Sequence, residues 1–292
     1  MATLAQWVAG ARPRTLPAAV APVLVGTGAA AALDRADLAL AVLALLVSLA
    51  LQVGVNYAND YSDGVRGTDA ARVGPVRLVG QGLARAENVR FMAFAAFAVA
   101  GVAGLALVAA SNTLPLLVVG ALAVVAAWRY TGGTKPYGYR GLGELYVFLF
   151  FGLVATLGTT YTQAHTLTRL SLLGACGVGA LASAILVANN LRDIPGDTVA
   201  GKRTLAVRLG DRGTRVLYVV LVVAAFALAA YAARSTVWAL LALVALPLAA
   251  LEIRRVVGGA RGRDLIPVLA GTGQTQLAYA VLLATGFALA AR

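Results

Sequence analysis

Two short acidic runs in this chain have the residue types and spacing to hold a cation. In "NYANDYSD", Asn56 to Asp63, Asp60 and Asp63 lie three apart, and Asn56 precedes Asp60 by four. In "NNLRDIPGD", Asn189 to Asp197, Asp193 and Asp197 lie four apart, and Asn189 again precedes Asp193 by four. Residues at i and i+3 or i+4 meet on one helix face, so each run predicts a carboxylate pair aimed in one direction. Two facing pairs repel strongly unless a cation sits between them. Mg²⁺ suits that gap, because it takes oxygen ligands and favours one or two carboxylates together with phosphate oxygens. A diphosphate recruited in this way is further held by Arg or Lys. Arg66, Arg72, Arg77, Lys202 and Arg203 follow the two runs, Arg192 lies within the second, and Lys135 falls in an intervening polar link. Solvated loop acids or helix caps would explain one such run, but two matched runs with Asn before and basic residues after favour a site.

The surrounding chain is apolar. Of its 292 residues 60% are hydrophobic and 12% charged, against about 25% charged in a soluble domain. This composition predicts an integral membrane protein rather than a nucleic-acid binder, despite 24 Lys and Arg against 12 Asp and Glu. The lone Cys176 has no disulfide or metal partner and reads as a small apolar residue. His165, in the polar link "TQAHTLTR", reads as solvated. Crossing a bilayer takes about 20 apolar residues. Runs of that kind fall near 15–33, 37–58, 90–110, 113–129, 142–162, 170–190, 214–233, 236–253 and 265–291. The first is expected to be retained as a span, preceded by an interfacial stretch with Trp7, rather than cleaved as a signal peptide.

The sequence therefore predicts an all-α, polytopic bundle of nine transmembrane helices in a single domain over 1–292. The two acidic runs, four helices apart, suggest two pseudo-repeated four-helix units. With nine spans the connections alternate sides, and 20 of the 24 basic residues fall on one of them. The excess of Lys and Arg in cytoplasmic links places the N-terminus and both acidic runs on the inner face. The run "GACGVGALASA", Gly174 to Ala184, suits close helix contact, and Pro115, Pro247 and Pro267 are expected to start or kink helices.

On these motifs the chain resembles the UbiA-type superfamily of intramembrane prenyltransferases. The resemblance rests on "NDYSD" (Asn59 to Asp63) and "RDIPGD" (Arg192 to Asp197). Within that superfamily, "RVGPVRLVGQG", "YTGGTKPYGYRGLGEL", "GKRTLAVRLG" and the N-terminal "GARPRTLPAAVAPVLVGTG" are similar to the branch that prenylates 1,4-dihydroxy-2-naphthoate in menaquinone synthesis. The resemblance implies a bacterial cell-membrane enzyme that moves a polyprenyl chain from a long allylic diphosphate to that naphthoate, using Mg²⁺. It implies that Asp60, Asp63, Asp193 and Asp197 hold Mg²⁺, with Asp69 as a further candidate and Asn56 and Asn59 as neutral ligands or orienters. Lys135, Lys202 and Arg203 would contact diphosphate, with Lys135 counted among the catalytic groups. Arg77 and Arg14 would contact diphosphate or the naphthoate carboxylate, and Tyr130, Tyr137 and Tyr139 would line the aromatic site.

Two rivals fit less well. The motif of CDP-alcohol phosphotransferases begins like Asp60-x2-Asp63-Gly64, but Gly67 and Thr68 stand where Ala-Arg is required. A secondary transporter needs polar groups at the midplane and on both faces, whereas the ionisable residues here gather on one.

Overall fold

The computed structural model describes residues 2–67 and 76–291, which form ten principal helices and no strand. Asp69 and Arg72 lie outside the described residues. A short helix α1 (Leu4–Gly10) precedes α2 (Pro17–Ala31), α3 (Leu38–Val65), α4 (Ala86–Ser111) and α5 (Leu116–Arg129). Then follow α6 (Gly143–Ala164), α7 (Arg169–Val199), α8 (Leu205–Ala232), α9 (Val237–Val257) and α10 (Leu265–Ala288). Each of the nine predicted apolar runs coincides with one of α2 to α10. Seven of these are long and apolar enough to cross a membrane, while α2 and α5 are shorter, at 15 and 14 residues.

The helices bury polar groups and expose apolar ones, as a bundle in lipid requires. Phe91, Val102, Val118 and Leu122 point outward, more than half exposed. One apolar cluster joins α2, α7, α8, α9 and α10, and a smaller one joins α3, α4 and the 78–84 segment. Helix α7 is the most enclosed, packing against α8, α10 and the middle of α6.

Both acidic runs lie on helices rather than on the loops that follow them. Helix α3 continues seven residues past the predicted end at 58, and α7 nine residues past 190. Hydropathy marks where lipid ends, whereas a helix ends where its backbone turns away. Here the stop comes at Gly67 and Gly201, with φ of 69° and 71°. Left-handed φ just past the last turn is the usual role of a C-terminal glycine.

The small-residue run does serve close contact. A Cβ on Gly179 would lie 3.0 Å from the Gly152 Cα, and one on Gly177 would strike the Tyr279 hydroxyl. Pro115, Pro247 and Pro267 stand at or near the starts of α5, the α-helical half of α9, and α10. Inside α6, Phe148–Val154 winds as a π-helix.

Backbone-to-backbone approach leaves no slack for a methyl group. A Cβ on Gly152 would lie 2.6 Å from the Gly179 Cα, and one on Gly28 2.6 Å from the Ala284 Cα. Gly152→Ala and Gly28→Ala are therefore expected to destabilise by about 1–3 kcal/mol, read as a lower Tm in detergent. Gly196→Ala, where a Cβ meets nothing within 4 Å, is expected to leave Tm unchanged or slightly raised.

Candidate active site

A cavity of about 1080 Å³ runs between α3, α4, α5, α6 and α7. On α3 its wall carries Gln52, Asn56, Asn59 and Asp63. Their spacing of four, three and four keeps them on one stripe of a 3.6-residue helix. Facing them on α7 are Asn189, Asn190, Arg192 and Asp197, with Lys202 just beyond. Arg12, Arg14 and Arg77 complete a cationic end. From there the cavity passes a row of rings and continues among apolar residues of α4, α5 and α6.

The predicted carboxylate pairs divide. Asp63 and Asp197 line the cavity and converge on the Lys202 ammonium, at 3.3 and 4.0 Å. All three side chains are buried, 4–7% exposed. This contact proves that the ends of α3 and α7 share one face of the bundle. Asp60 points elsewhere: its Oδ2 accepts from the Leu78 N–H at 2.8 Å and its Oδ1 from Val79 at 3.0 Å. A three-residue step turns about 60° around the helix, enough to move Asp60 from the cavity stripe to the segment lying over α3. Gly64 permits that overlay, since a Cβ there would lie 2.5 Å from the Val79 Cβ. Asp193 is gripped by its neighbour Arg192, with Nε to Oδ1 at 2.7 Å and Nη2 to Oδ2 at 2.8 Å, and Asn189 also donates to it.

Tyr139 donates its hydroxyl to Asp63, and its ring lies 4.5 Å from the Lys202 ammonium and 5.4 Å from the Arg66 guanidinium. Arg66 in turn donates to the Thr131 and Gly133 carbonyls, tying the 130–142 link to the end of α3. Tyr130, Tyr137, Tyr146 and Phe150 form a continuous row along the wall, with centroid spacings of 5.5, 4.0 and 6.1 Å. Burial, and then the neighbouring Tyr146, push the Tyr137 phenol far above its ordinary value, so it remains neutral at any working pH.

Two predicted contacts are not brought in. The side chains of Lys135 and Arg203 are exposed and line no part of the cavity. Arg203 contributes through its backbone, donating N–H to the Tyr139 carbonyl at 2.9 Å. Charge sign alone selected these two, and charge sign does not tell a loop surface from a cavity wall. Reasoning from sequence also passed over Arg12, Asn190, Tyr146 and Phe150. Tyr146 and Phe150 had a signal in their i, i+4 spacing, hidden within an apolar run.

Among the described residues no group of three or more His, Cys, Asp or Glu could by itself hold a metal. The donor set does fit a hard divalent cation completed by substrate: two carboxylates on opposing helices, with phosphate oxygens and water for the rest.

This fold and site define a polytopic membrane enzyme whose cavity joins a charged head-group end to an aromatic and apolar tail. The chain belongs to the UbiA prenyltransferase family, whose model matches residues 19–265. It is 54% identical to a 1,4-dihydroxy-2-naphthoate octaprenyltransferase of Mycobacterium tuberculosis, covering 99% of this chain and 98% of that one. It is 38% identical to the Escherichia coli protein of the same name, over 90% of this chain and 86% of that one. Among solved structures it resembles an apo UbiA homolog from Aeropyrum pernix, with TM-score 0.67, 20% identity and coverage of 92% and 96%. It also resembles an Archaeoglobus fulgidus UbiA homolog bound to DMAPP and Mg²⁺, with TM-score 0.62, 16% identity and coverage of 96% and 99%.

Asp60→Asn removes one of two buried acceptors for the 78–79 amides. Losing a charge-assisted bond of about 1.5–3 kcal/mol is expected to lower Tm and loosen the segment carrying Arg77. Limited proteolysis between 76 and 84, beside a thermal melt, reads this out.

Proposed function

We propose that this protein transfers a long polyprenyl chain from an allylic diphosphate to 1,4-dihydroxy-2-naphthoate, releasing diphosphate and CO₂ and giving demethylmenaquinol. The observation that carries the reading is a cavity that sets Asp63, Asp197, Lys202 and four arginines at one end of an aromatic, apolar channel. The near full-length likeness to naphthoate octaprenyltransferases supports it and favours the same acceptor.

The 292-residue chain acts as one unit in a bacterial cell membrane, with the cationic end facing the cytoplasm. Excess Lys and Arg on the corresponding links support this orientation. Asp63 and Asp197 would hold Mg²⁺, which when bound neutralises charge growing on the departing diphosphate. Lys202, Arg192, Arg77 and Arg12 surround the same position and act in the same sense, most strongly where water is scarce. As the allylic C–O bond breaks, its electron pair leaves with the diphosphate. The naphthoate carbon bearing the carboxylate then bonds to the allylic carbon. The bond to the carboxyl group breaks next, returning its electron pair to the ring as CO₂ departs. The π faces of Tyr130, Tyr137 and Tyr146 flank the path of the allylic cation. Apolar walls beyond them exclude water that would capture it.

Membranes containing the protein are expected to prenylate 1,4-dihydroxy-2-naphthoate and not 4-hydroxybenzoate, with activity lost on chelation and restored by Mg²⁺. Asp63→Asn and Asp197→Asn are expected to lower turnover by about 10²–10³, the loss typical of removing a transition-state charge partner. Product from 4-hydroxybenzoate alone, or full turnover in both variants, would sink the reading.

A further inference from the structure

Four asparagines line the cavity, and their hydrogen bonds sort them into two kinds. Asn59 and Asn189 have their amide oxygens occupied by the protein: Thr131 donates to one at 2.7 Å, and Arg192 to the other at 2.8 Å. Asn56 and Asn190 are the reverse. The Asn56 Nδ2 donates to the Ala11 carbonyl at 2.8 Å and to the Thr15 hydroxyl at 3.0 Å. That hydroxyl already gives its proton to the Arg12 carbonyl, so it accepts from Asn56 and the amide orientation is fixed. The Asn190 Nδ2 donates to Oε1 of Glu144 at 2.8 Å. In both residues the amide nitrogen is bonded into the protein, and Oδ1 is left for the cavity.

The two also occupy equivalent places. Asn56 precedes Asp63 by seven residues on α3, and Asn190 precedes Asp197 by seven on α7. Seven residues make just under two turns, about 10 Å of rise on nearly the same face. Each asparagine therefore sits about 10 Å deeper along its helix than the carboxylate it precedes.

Glu144 is a buried carboxyl that the prenyl-transfer steps leave unused. It is 7% exposed, has no salt bridge among the described residues, and its Oε2 has no hydrogen-bond partner. Its side-chain hydrogen bond with another residue is the one from Asn190. A buried acceptor with so little compensation is costly, and here its effect is to hold one amide in one orientation.

We infer that Asn56 and Asn190 read the acceptor, their Oδ1 atoms accepting hydrogen bonds from the two ring hydroxyls of an aromatic 1,4-diol. Glu144 is the positioning residue that keeps the Asn190 carbonyl turned inward. The inference rests on the naphthoate reading above and adds how the acceptor is told from a ring with one hydroxyl. A hydroxyl accepted by an amide oxygen also feeds electron density to the ring carbon that attacks.

The test compares 1,4-dihydroxy-2-naphthoate as substrate with 1-hydroxy-2-naphthoate as competitive inhibitor in purified wild type, Asn56→Ala, Asn190→Ala, Glu144→Ala and Glu144→Gln. Wild type is expected to bind the diol about tenfold tighter than the mono-ol, the worth of one net hydrogen bond. One of the two asparagine variants is expected to raise KM for the diol until that gap closes, with KM for the prenyl diphosphate unchanged. Glu144→Gln still accepts from the Asn190 amide and is expected to match wild type, whereas Glu144→Ala follows Asn190→Ala. Thermal melts separate misfolding from lost contact, and where an alanine variant does not fold, Glu144→Gln against Glu144→Ala carries the decision. A gap that persists in both asparagine variants, KM values for both substrates rising together, or a Glu144→Gln as impaired as Glu144→Ala would overturn the inference. Wild type that prenylates another acceptor and neither naphthoate would instead overturn the functional reading on which it rests.

Discussion

A carboxylate at the end of an apolar bundle can stay ionised only if something positive or strongly polar is held beside it. Desolvation costs several kcal/mol per ion, and mutual attraction offsets it only with good geometry. Every acid of the site meets this condition differently: Asp60 with two backbone amides, Asp193 with a forked guanidinium, and Asp63 and Asp197 with one shared ammonium. The first two arrangements tie each acid to a neighbouring segment or side chain and hold the walls in place. The third brings two helices together at the Lys202 ammonium, with Tyr139 also donating to Asp63, and it faces the cavity that a cation and diphosphate would enter.

Because the charges must sit together yet near lipid, helices that overrun the apolar slab become the natural scaffold. Helices α3 and α7 carry their polar stripes past the last greasy turn before glycine stops them. A substrate with an ionic head and an isoprenoid tail needs both environments along one line, and an overrunning helix supplies them without a separate domain.

Much of this was legible in the sequence. Apolar run length located every helix from α2 to α10, and the paired acids include two, Asp63 and Asp197, that line one cavity. What run length cannot show is where a helix stops, so α3 and α7 outrun the predicted spans by seven and nine residues and carry the acids with them. The facing of the acids was also misjudged. Asn56 was matched with Asn189, because each has an Asp four residues on. The cavity matches it instead with Asn190, and the chain then repeats Asn, Asp and Gly at 56, 63 and 67 and at 190, 197 and 201. That register was visible in the letters, but choosing it required knowing that glycine ends both helices. Lys135 and Arg203 show the opposite limit. Nothing in a polar link distinguishes a lysine on the wall from one in solvent until the link is tied down, here by Arg66 and Tyr139.

The π-wound stretch Phe148–Val154 has a geometric consequence for the whole cavity. Tyr146, Phe150, Val154, Gly158 and Thr162 all line it, at intervals of four. In an ordinary α-helix that interval drifts about 40° with each step, so residues 146 and 162 would end on nearly opposite sides. The wider turn cancels part of the drift and keeps the stripe parallel to the helix axis. The length of α6 that faces the cavity is thus set by a local change of winding rather than by side-chain choice. Removing a single residue within 148–154 would swing either the ring row or the glycine end away from the cavity while leaving every side chain chemically intact.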